Sequence, residues 1–82
     1  MKLPVIRHIQ RTASVDEINQ TISVLENISE APSIKDAELD VIGELISNLC
    51  GALEVHQLIA NGMPEKDACN SFMKKVIGSI DQ

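Results

Sequence analysis

The fold follows from DAELDVIGELISNLCGALEVHQLIANG, the stretch from Asp36 to Gly62. At about 100° per residue, its apolar side chains cover a contiguous arc of roughly half the helix circumference, wider than the ~100° stripe of an ordinary surface helix. That arc consists of Val41, Ile42, Leu45, Ile46, Leu49, Ala52, Leu53, Val55, Ile59 and Ala60. The opposite face carries Asp40, Glu44, Ser47, Glu54 and Asn61. The pattern predicts one long amphipathic helix that has neighbours on two sides.

Both ends of this helix carry recognisable signals. At the start, Ser33 followed by Asp36 resembles a capping box, and Asp36 is itself a suitable N-cap. At the end, Gly62 can adopt the left-handed conformation that terminates helices, and Pro64 follows shortly after.

The length of the central helix predicts self-association. About 25 residues make a helix of ~37 Å, whereas a compact chain of 82 residues has a diameter of only ~30 Å. A chain of this size also buries a modest fraction of its surface. We therefore expect part of the helix to pack against another chain, in a homodimer.

The rest of the chain also reads as helix. Pro4 to Arg11 fits a short amphipathic helix, although Val5 and Ile6 also fit an extended arm. A capping box of Ser14 and Glu17 begins a helix from Val15 to about Ser29. A turn follows at 30–33 because Pro32 disfavours helix at Ala31.

The last helix begins at Pro64, which suits a first helical position. The short connections predict antiparallel neighbours. The fold class is therefore all-α: a single domain, 1–82, built as an antiparallel bundle of three main helices plus a short N-terminal one.

The flanking helices have their own predicted apolar faces. The second helix presents Ile18, Ile22, Leu25 and Ile28, with Val15 and Val24 at the edges. The last helix presents Ala68, Cys69, Phe72, Met73, Val76, Ile77 and Ile80.

Charge is distributed unevenly. Residues 1–13 carry three basic residues and no acid, so +3, while the remainder has four bases against twelve acids, so −8. An acidic body without stacking aromatics argues against nucleic acid as a partner. We expect the basic start to dock on the acidic body of its own or a partner chain; a phosphate or membrane contact is the alternative.

Localisation is predicted to be cytoplasmic. The apolar run after Lys2 is short and broken by Pro4, so it does not read as a signal peptide, and no stretch approaches the ~20 apolar residues of a membrane span. The cysteines, Cys50 and Cys69, do not form a disulfide framework, and reduced thiols fit a cytosolic protein.

Several segments together resemble a family of small helical bacterial proteins with no assigned activity. They are MKLPVIR at residues 1–7, VLE at 24–26, IGELISN at 42–48, GALEVH at 51–56 and VIGSID at 76–81. This resemblance covers nearly the whole chain and implies a small helical domain, with no activity to carry over.

A second, local resemblance concerns Glu54-Val-His56. It is similar to the active-site helix of carboxymuconolactone decarboxylase and alkylhydroperoxidase-D-like proteins, whose pattern is Cys-x-x-Cys-x-x-x-His. With His56 as the histidine, the cysteine positions hold Leu49 and Ala52. Cys50 is one residue out of register, a rotation of about 100°, so peroxidase chemistry is not implied.

No constellation of catalytic or metal-ligating residues stands out. His56 has no metal-binding partner at i±3 or i±4, which favours a core or interface role. Gly43, Ser47 and Gly51 form a row of small residues that would allow another helix to approach closely, with Asn48 as a polar position beside it. These five residues are the candidate interface or pocket; no catalytic, cofactor-binding or metal-binding residue is assigned, and no cofactor is expected.

Two functional hypotheses remain. The first is a cytosolic protein–protein interaction or structural module that acts as a homodimer. The second is a small ligand-binding protein, or a degenerate alkylhydroperoxidase-D-like enzyme, with a pocket near His56. Phe72 is the only aromatic residue. This scarcity of aromatics and the lack of convergent polar residues favour the first hypothesis.

Overall fold

A computed structural model describes residues 2–80 of the chain, with side chains for residues 2–77. Within this range the chain forms four helices and no strand, which confirms the all-α prediction. The helices are α1, Leu3–Thr12; α2, Val15–Ser29; α3, Asp36–Ala60; and α4, Glu65–Ile80.

The capping box of α2 forms as predicted. The Glu17 backbone N–H donates to Ser14 Oγ at 3.2 Å, and the Ser14 N–H donates to Glu17 Oε1 at 2.9 Å. This reciprocal pair satisfies two backbone donors that the first turn of a helix leaves open.

The start of α3 differs from the prediction by one residue. Its N-cap is Lys35 rather than Asp36, and the Lys35 N–H donates to Glu38 Oε1 at 3.0 Å. Ser33 does not cap the helix; it takes a left-handed conformation, φ +78°, inside the connecting turn. Asp36 therefore lies in the first turn, where the helix dipole favours a carboxylate.

The end of α3 is a Schellman motif. The Gly62 N–H donates to the Ile59 carbonyl at 2.9 Å, and the Met63 N–H donates to the Leu58 carbonyl at 3.1 Å. Gly62 has φ +103°, a conformation that side-chain-bearing residues rarely adopt. The predicted stop is therefore correct, and α4 begins after Pro64 at Glu65.

The central helix α3 contacts each of the other three helices, and α1 also contacts α4. α1 runs beside α3 in the same direction. Three contacts along their length show this: Lys2 lies at Asn48, Ile6 at Gly51, and Ala13 at His56.

The hydrophobic core forms where the second half of α3 passes between its neighbours. Its buried members are Ile6, Ile18, Leu49, Ala52, Val55, Ala68, Cys69 and Phe72. Gly51 allows close packing on α3, because a Cβ atom there would lie 2.9 Å from Ile6 Cδ1 and 3.0 Å from Phe72 Cζ.

The molecule is elongated, with extents of 43 × 31 × 17 Å and a radius of gyration of 13.8 Å. A compact chain of this length has a radius of gyration of about 12 Å. None of the helices in the described part is both long and apolar enough to cross a bilayer.

Candidate interaction surface

The first half of α3 is covered by fewer helices than the second half. α1 begins beside Asn48, because the Lys2 backbone N–H donates to Asn48 Oδ1 at 3.0 Å. Between Asp36 and that point, α1 does not cover α3. Val41 is consequently 57% exposed and Leu45 44% exposed, although both belong to the predicted apolar arc.

The neighbouring part of α2 continues this exposed region. Val24 is 56% exposed and Ile28 41% exposed, one helical turn apart on one face. Ile28 and Val41 line the same open hollow, of about 460 Å³, whose other walls are Ile34, Ala37, Glu38 and Ile42. We call this region the α2–α3 apolar surface and define it by Val24, Ile28, Ile34, Ala37, Val41 and Leu45.

The accessible area of the whole chain is large for its mass. It is 5601 Å², against about 4800 Å² for a compact monomer of 8.9 kDa. The excess is roughly 800 Å², the area that one partner buries in a standard-sized interface.

Acidic side chains lie on the same half of α3 as the α2–α3 apolar surface. Glu38 lines its hollow, and Asp36, Asp40 and Glu44 are exposed on the same half of α3. Carboxylates at the rim of an apolar patch select a partner that presents positive charge.

Of the five residues assigned to the candidate interface or pocket, three contact α1. Asn48 is buried and accepts the hydrogen bond from the Lys2 N–H, so it satisfies a donor at the start of a helix that has no side-chain cap of its own. Gly51 provides room for Ile6. His56 lies beside the end of α1.

His56 joins α3 to the corner between α1 and α2. Its Nε2 lies 3.0 Å from the Ala13 carbonyl oxygen. Because a carbonyl only accepts, Nε2 carries the hydrogen and donates. His56 does not line the hollow of the α2–α3 apolar surface.

The other two residues of the set lie apart from α1. Gly43 is exposed, and an added Cβ would have no described atom within 4 Å. Ser47 is half-buried. The row of small residues is therefore divided: Gly51 receives neighbouring helices, whereas Gly43 faces open space.

The two positions that would carry cysteines in a peroxidase helix lie in the core. Leu49 is buried and Ala52 is fully buried. Cys50 is exposed and Cys69 is buried, and both are free thiols. The described residues contain no cluster of three potential metal ligands.

An ion-pair cluster joins α1 to α4, away from the α2–α3 apolar surface. Arg11 Nε and Nη2 lie 2.7 and 2.6 Å from Glu65 Oε1, and Arg7 Nε lies 3.7 Å from the same oxygen. The hydrogen bond from Arg11 lowers the pKa of the Glu65 carboxyl group and raises the pKa of Arg11. The basic start of the chain thus contacts an acidic residue of its own body, as expected. Arg7 and Arg11 also line an open hollow with Leu3, Pro4 and His8.

Sequence reasoning placed Ile28 and Ile77 on the apolar faces of their helices and Val24 at the edge of one. All three are more than 40% exposed; Ile80 lies outside the described side chains. An apolar periodicity shows which face of a helix is apolar but not whether a neighbour reaches it. The sequence signal for the α2–α3 apolar surface was the predicted length of α3, which exceeds the diameter of a compact chain and indicates that part of its apolar face has no neighbour within the chain.

The comparisons with known proteins give a family and no activity. A family model described as a family of unknown function (DUF6952) matches residues 1–81. No curated protein matches the chain, and no solved structure matches it. The whole-chain resemblance to proteins without an assigned activity agrees with the family match, whereas the local likeness to alkylhydroperoxidase-D-like proteins has no support.

Proposed function

We propose that this chain, which belongs to the family of unknown function DUF6952, is a protein–protein interaction module that acts as a homodimer through its α2–α3 apolar surface. The observation that carries the proposal is the exposure of Val24, Ile28, Val41 and Leu45 on two adjacent helices. Contiguous apolar area of this kind on a small protein is characteristic of an interaction site.

A second copy is favoured as the occupant because of the size of the chain. The exposed half of α3 lies beyond the start of α1 and shares an open hollow with α2. A two-fold dimer would place α2 and α3 of each copy in one four-helix arrangement. A standard-sized interface buries about 800 Å² per partner, which is close to the excess of the whole chain over a compact monomer.

The proposal also places the dimer in the cytosol of a bacterial cell. The two cysteines lie on different helices as free thiols, which suits a reducing compartment. The bacterial source follows from the family resemblance alone.

Two valine substitutions test the dimer. Val41→Glu places a charge in the α2–α3 apolar surface, while Val15→Glu makes the same change at the start of α2, near the opposite end of α3, where the side chain is 43% exposed. Both sites are exposed and Glu favours helix more than Val does, so both variants should fold.

We expect wild type and Val15→Glu to sediment as dimers at micromolar concentration and Val41→Glu to sediment as a monomer. A dimer with a Kd of about 1 mM has a binding free energy of only ~4 kcal/mol. A wild-type chain that stays monomeric up to about that concentration would refute the proposed function.

A further inference from the structure

We infer that the second copy binds antiparallel, about a two-fold axis between Val41 and Leu45, so that Lys2 of each copy lies against Asp40 of the partner subunit. This inference rests on the proposed homodimer. It adds the register of the two chains and the charge pair that selects it.

The first step is the position at which α1 begins. The hydrogen bond from the Lys2 N–H to Asn48 Oδ1 fixes the start of α1 beside residue 48 of α3. The exposed side chains of Leu45 and Val41 begin within one turn of that point. The α2–α3 apolar surface therefore has the basic start of α1 at one end and the acidic start of α3 at the other.

The second step is symmetry. An antiparallel two-fold between Val41 and Leu45 places residue 48 of one copy opposite residue 38 of the other. With 1.5 Å of rise per residue, the start of α1 then lies within about 3 Å, measured along the helix axis, of Asp40 of the partner subunit. Within one chain, residues 40 and 48 are separated by about 12 Å along α3, which exceeds the Debye length of ~10 Å at 0.1 M salt.

The third step is the flank on which these groups lie. On the helical wheel of α3, Asp40 and Glu44 occupy the same flank of Val41 and Leu45 as Gly51, which contacts α1 further along. A two-fold axis perpendicular to the helices keeps this flank on the same side in both copies. The basic start of α1 and the acids of the partner subunit therefore face each other, and the contact occurs twice.

A parallel dimer would have the opposite electrostatics. It would place the acidic starts of the two α3 helices, with Asp36, Glu38 and Asp40, at the same level, and like charges at one end of an interface destabilise it. Arg7 and Arg11 pair with Glu65 of their own chain. Lys2, the third basic residue of 1–13, lies opposite an acidic residue of the partner subunit in the antiparallel arrangement.

Charge reversal tests this register. Lys2→Glu, Asp40→Lys and the double variant are compared with Lys66→Glu, a matched change at an exposed position on α4 near the far end of α3. The dimer Kd is measured by sedimentation at about 0.05 M and about 0.5 M salt, and a thermal melt of each variant verifies folding.

At low salt, each single reversal of Lys2 or Asp40 should raise Kd about tenfold, because two symmetric pairs become repulsive. The double variant should return to within about threefold of wild type, and Lys66→Glu should change Kd little. High salt should reduce all these differences.

The outcomes separate the inference from the proposed function. A dimer whose Kd responds to Lys2→Glu and Asp40→Lys no more than to Lys66→Glu overturns the register but leaves the homodimer standing. A double variant that is weaker than both single variants also overturns the register. A wild-type monomer at every concentration overturns both.

Discussion

At the scale of single residues, Gly43 and Gly51 show how identical residues eight positions apart on α3 come to have different roles. Gly51 is buried under Ile6 and Phe72, whereas Gly43 faces open space within the described part of the chain. Gly in a helix interior costs about 1 kcal/mol relative to Ala. That cost has a packing reason only at Gly51.

The pair gives a stability prediction. Gly43→Ala should stabilise the fold by about 0.5–1 kcal/mol, because it lowers the conformational entropy of the unfolded chain. Gly51→Ala should destabilise it by about 1–2 kcal/mol, since a Cβ 2.9 Å from buried Ile6 forces a shift in a packed core. Urea unfolding of both variants measures this; equal effects of one sign would show that α1 does not pack closely on α3.

His56 is a second residue whose role depends on a distant partner. Its Nε2–H donates to the Ala13 carbonyl, 43 positions away along the chain. This bond fixes the α1–α2 corner against α3.

Removal of that donor should weaken the fold. His56→Leu leaves the Ala13 carbonyl without its partner and should cost about 1 kcal/mol, whereas His56→Gln retains an N–H donor and should cost less. Thermal melts of the two variants compare them. Equal stability of His56→Leu and wild type would mean that water replaces the ring at no cost.

At the scale of helices, α1 is held against α4 by the Arg11–Glu65 pair and against α3 by Asn48, Gly51 and His56. The pKa of Glu65 is lowered below its ordinary value of 4.5, first because Arg11 donates a hydrogen bond to it. The pKa of Glu17 is lowered by its bonds to Ser14 at the start of α2. Both carboxylates therefore favour the folded state only when they are ionised.

Acid should weaken these helix contacts. The stabilisation from Glu65 is present above its unfolded pKa of about 4.5 and is lost as pH falls through the lower folded value. Glu65→Gln should therefore reduce stability at neutral pH and flatten its fall between pH 5 and about pH 3. Glu26→Gln, on the exposed side of α2, is the control. The urea midpoint of each variant is measured at pH 5 and at about pH 3, and the two slopes are compared. An unchanged slope in Glu65→Gln would show that the pair with Arg11 does not persist in solution.

At the scale of the whole molecule, the elongated shape and the large accessible area have one cause. α1 begins beside Asn48, so the first half of α3 extends beyond α1 and shares an open hollow with α2. The apolar side chains exposed there are the basis of the proposed dimer.

Association of this kind should appear in the thermal stability. Because a dimer is stabilised by mass action, the Tm of the wild-type chain should rise with protein concentration. Val41→Glu should melt at a temperature that does not depend on concentration. A wild-type Tm that is constant over a hundredfold range of concentration would contradict the dimer.

The sequence alone determined the helices, their order and most of their ends. The Ser14–Glu17 capping box and the Gly62 stop depend on hydrogen bonds between residues within five positions of each other, so local chemistry is sufficient to predict them. The predicted start of α3 was displaced by one residue. Lys35 rather than Asp36 is the N-cap, because the Lys35 N–H bonds to Glu38, and Asp36 lies in the first turn.

Only the tertiary structure decided which part of the apolar arc of α3 is covered. Val41 and Val55 belong to the same predicted arc, yet Val41 is exposed and Val55 is fully buried. The difference arises because α1 begins beside Asn48, a contact 46 residues apart in the chain. Periodicity fixes the direction in which a side chain points from its own helix, whereas burial depends on where other helices end.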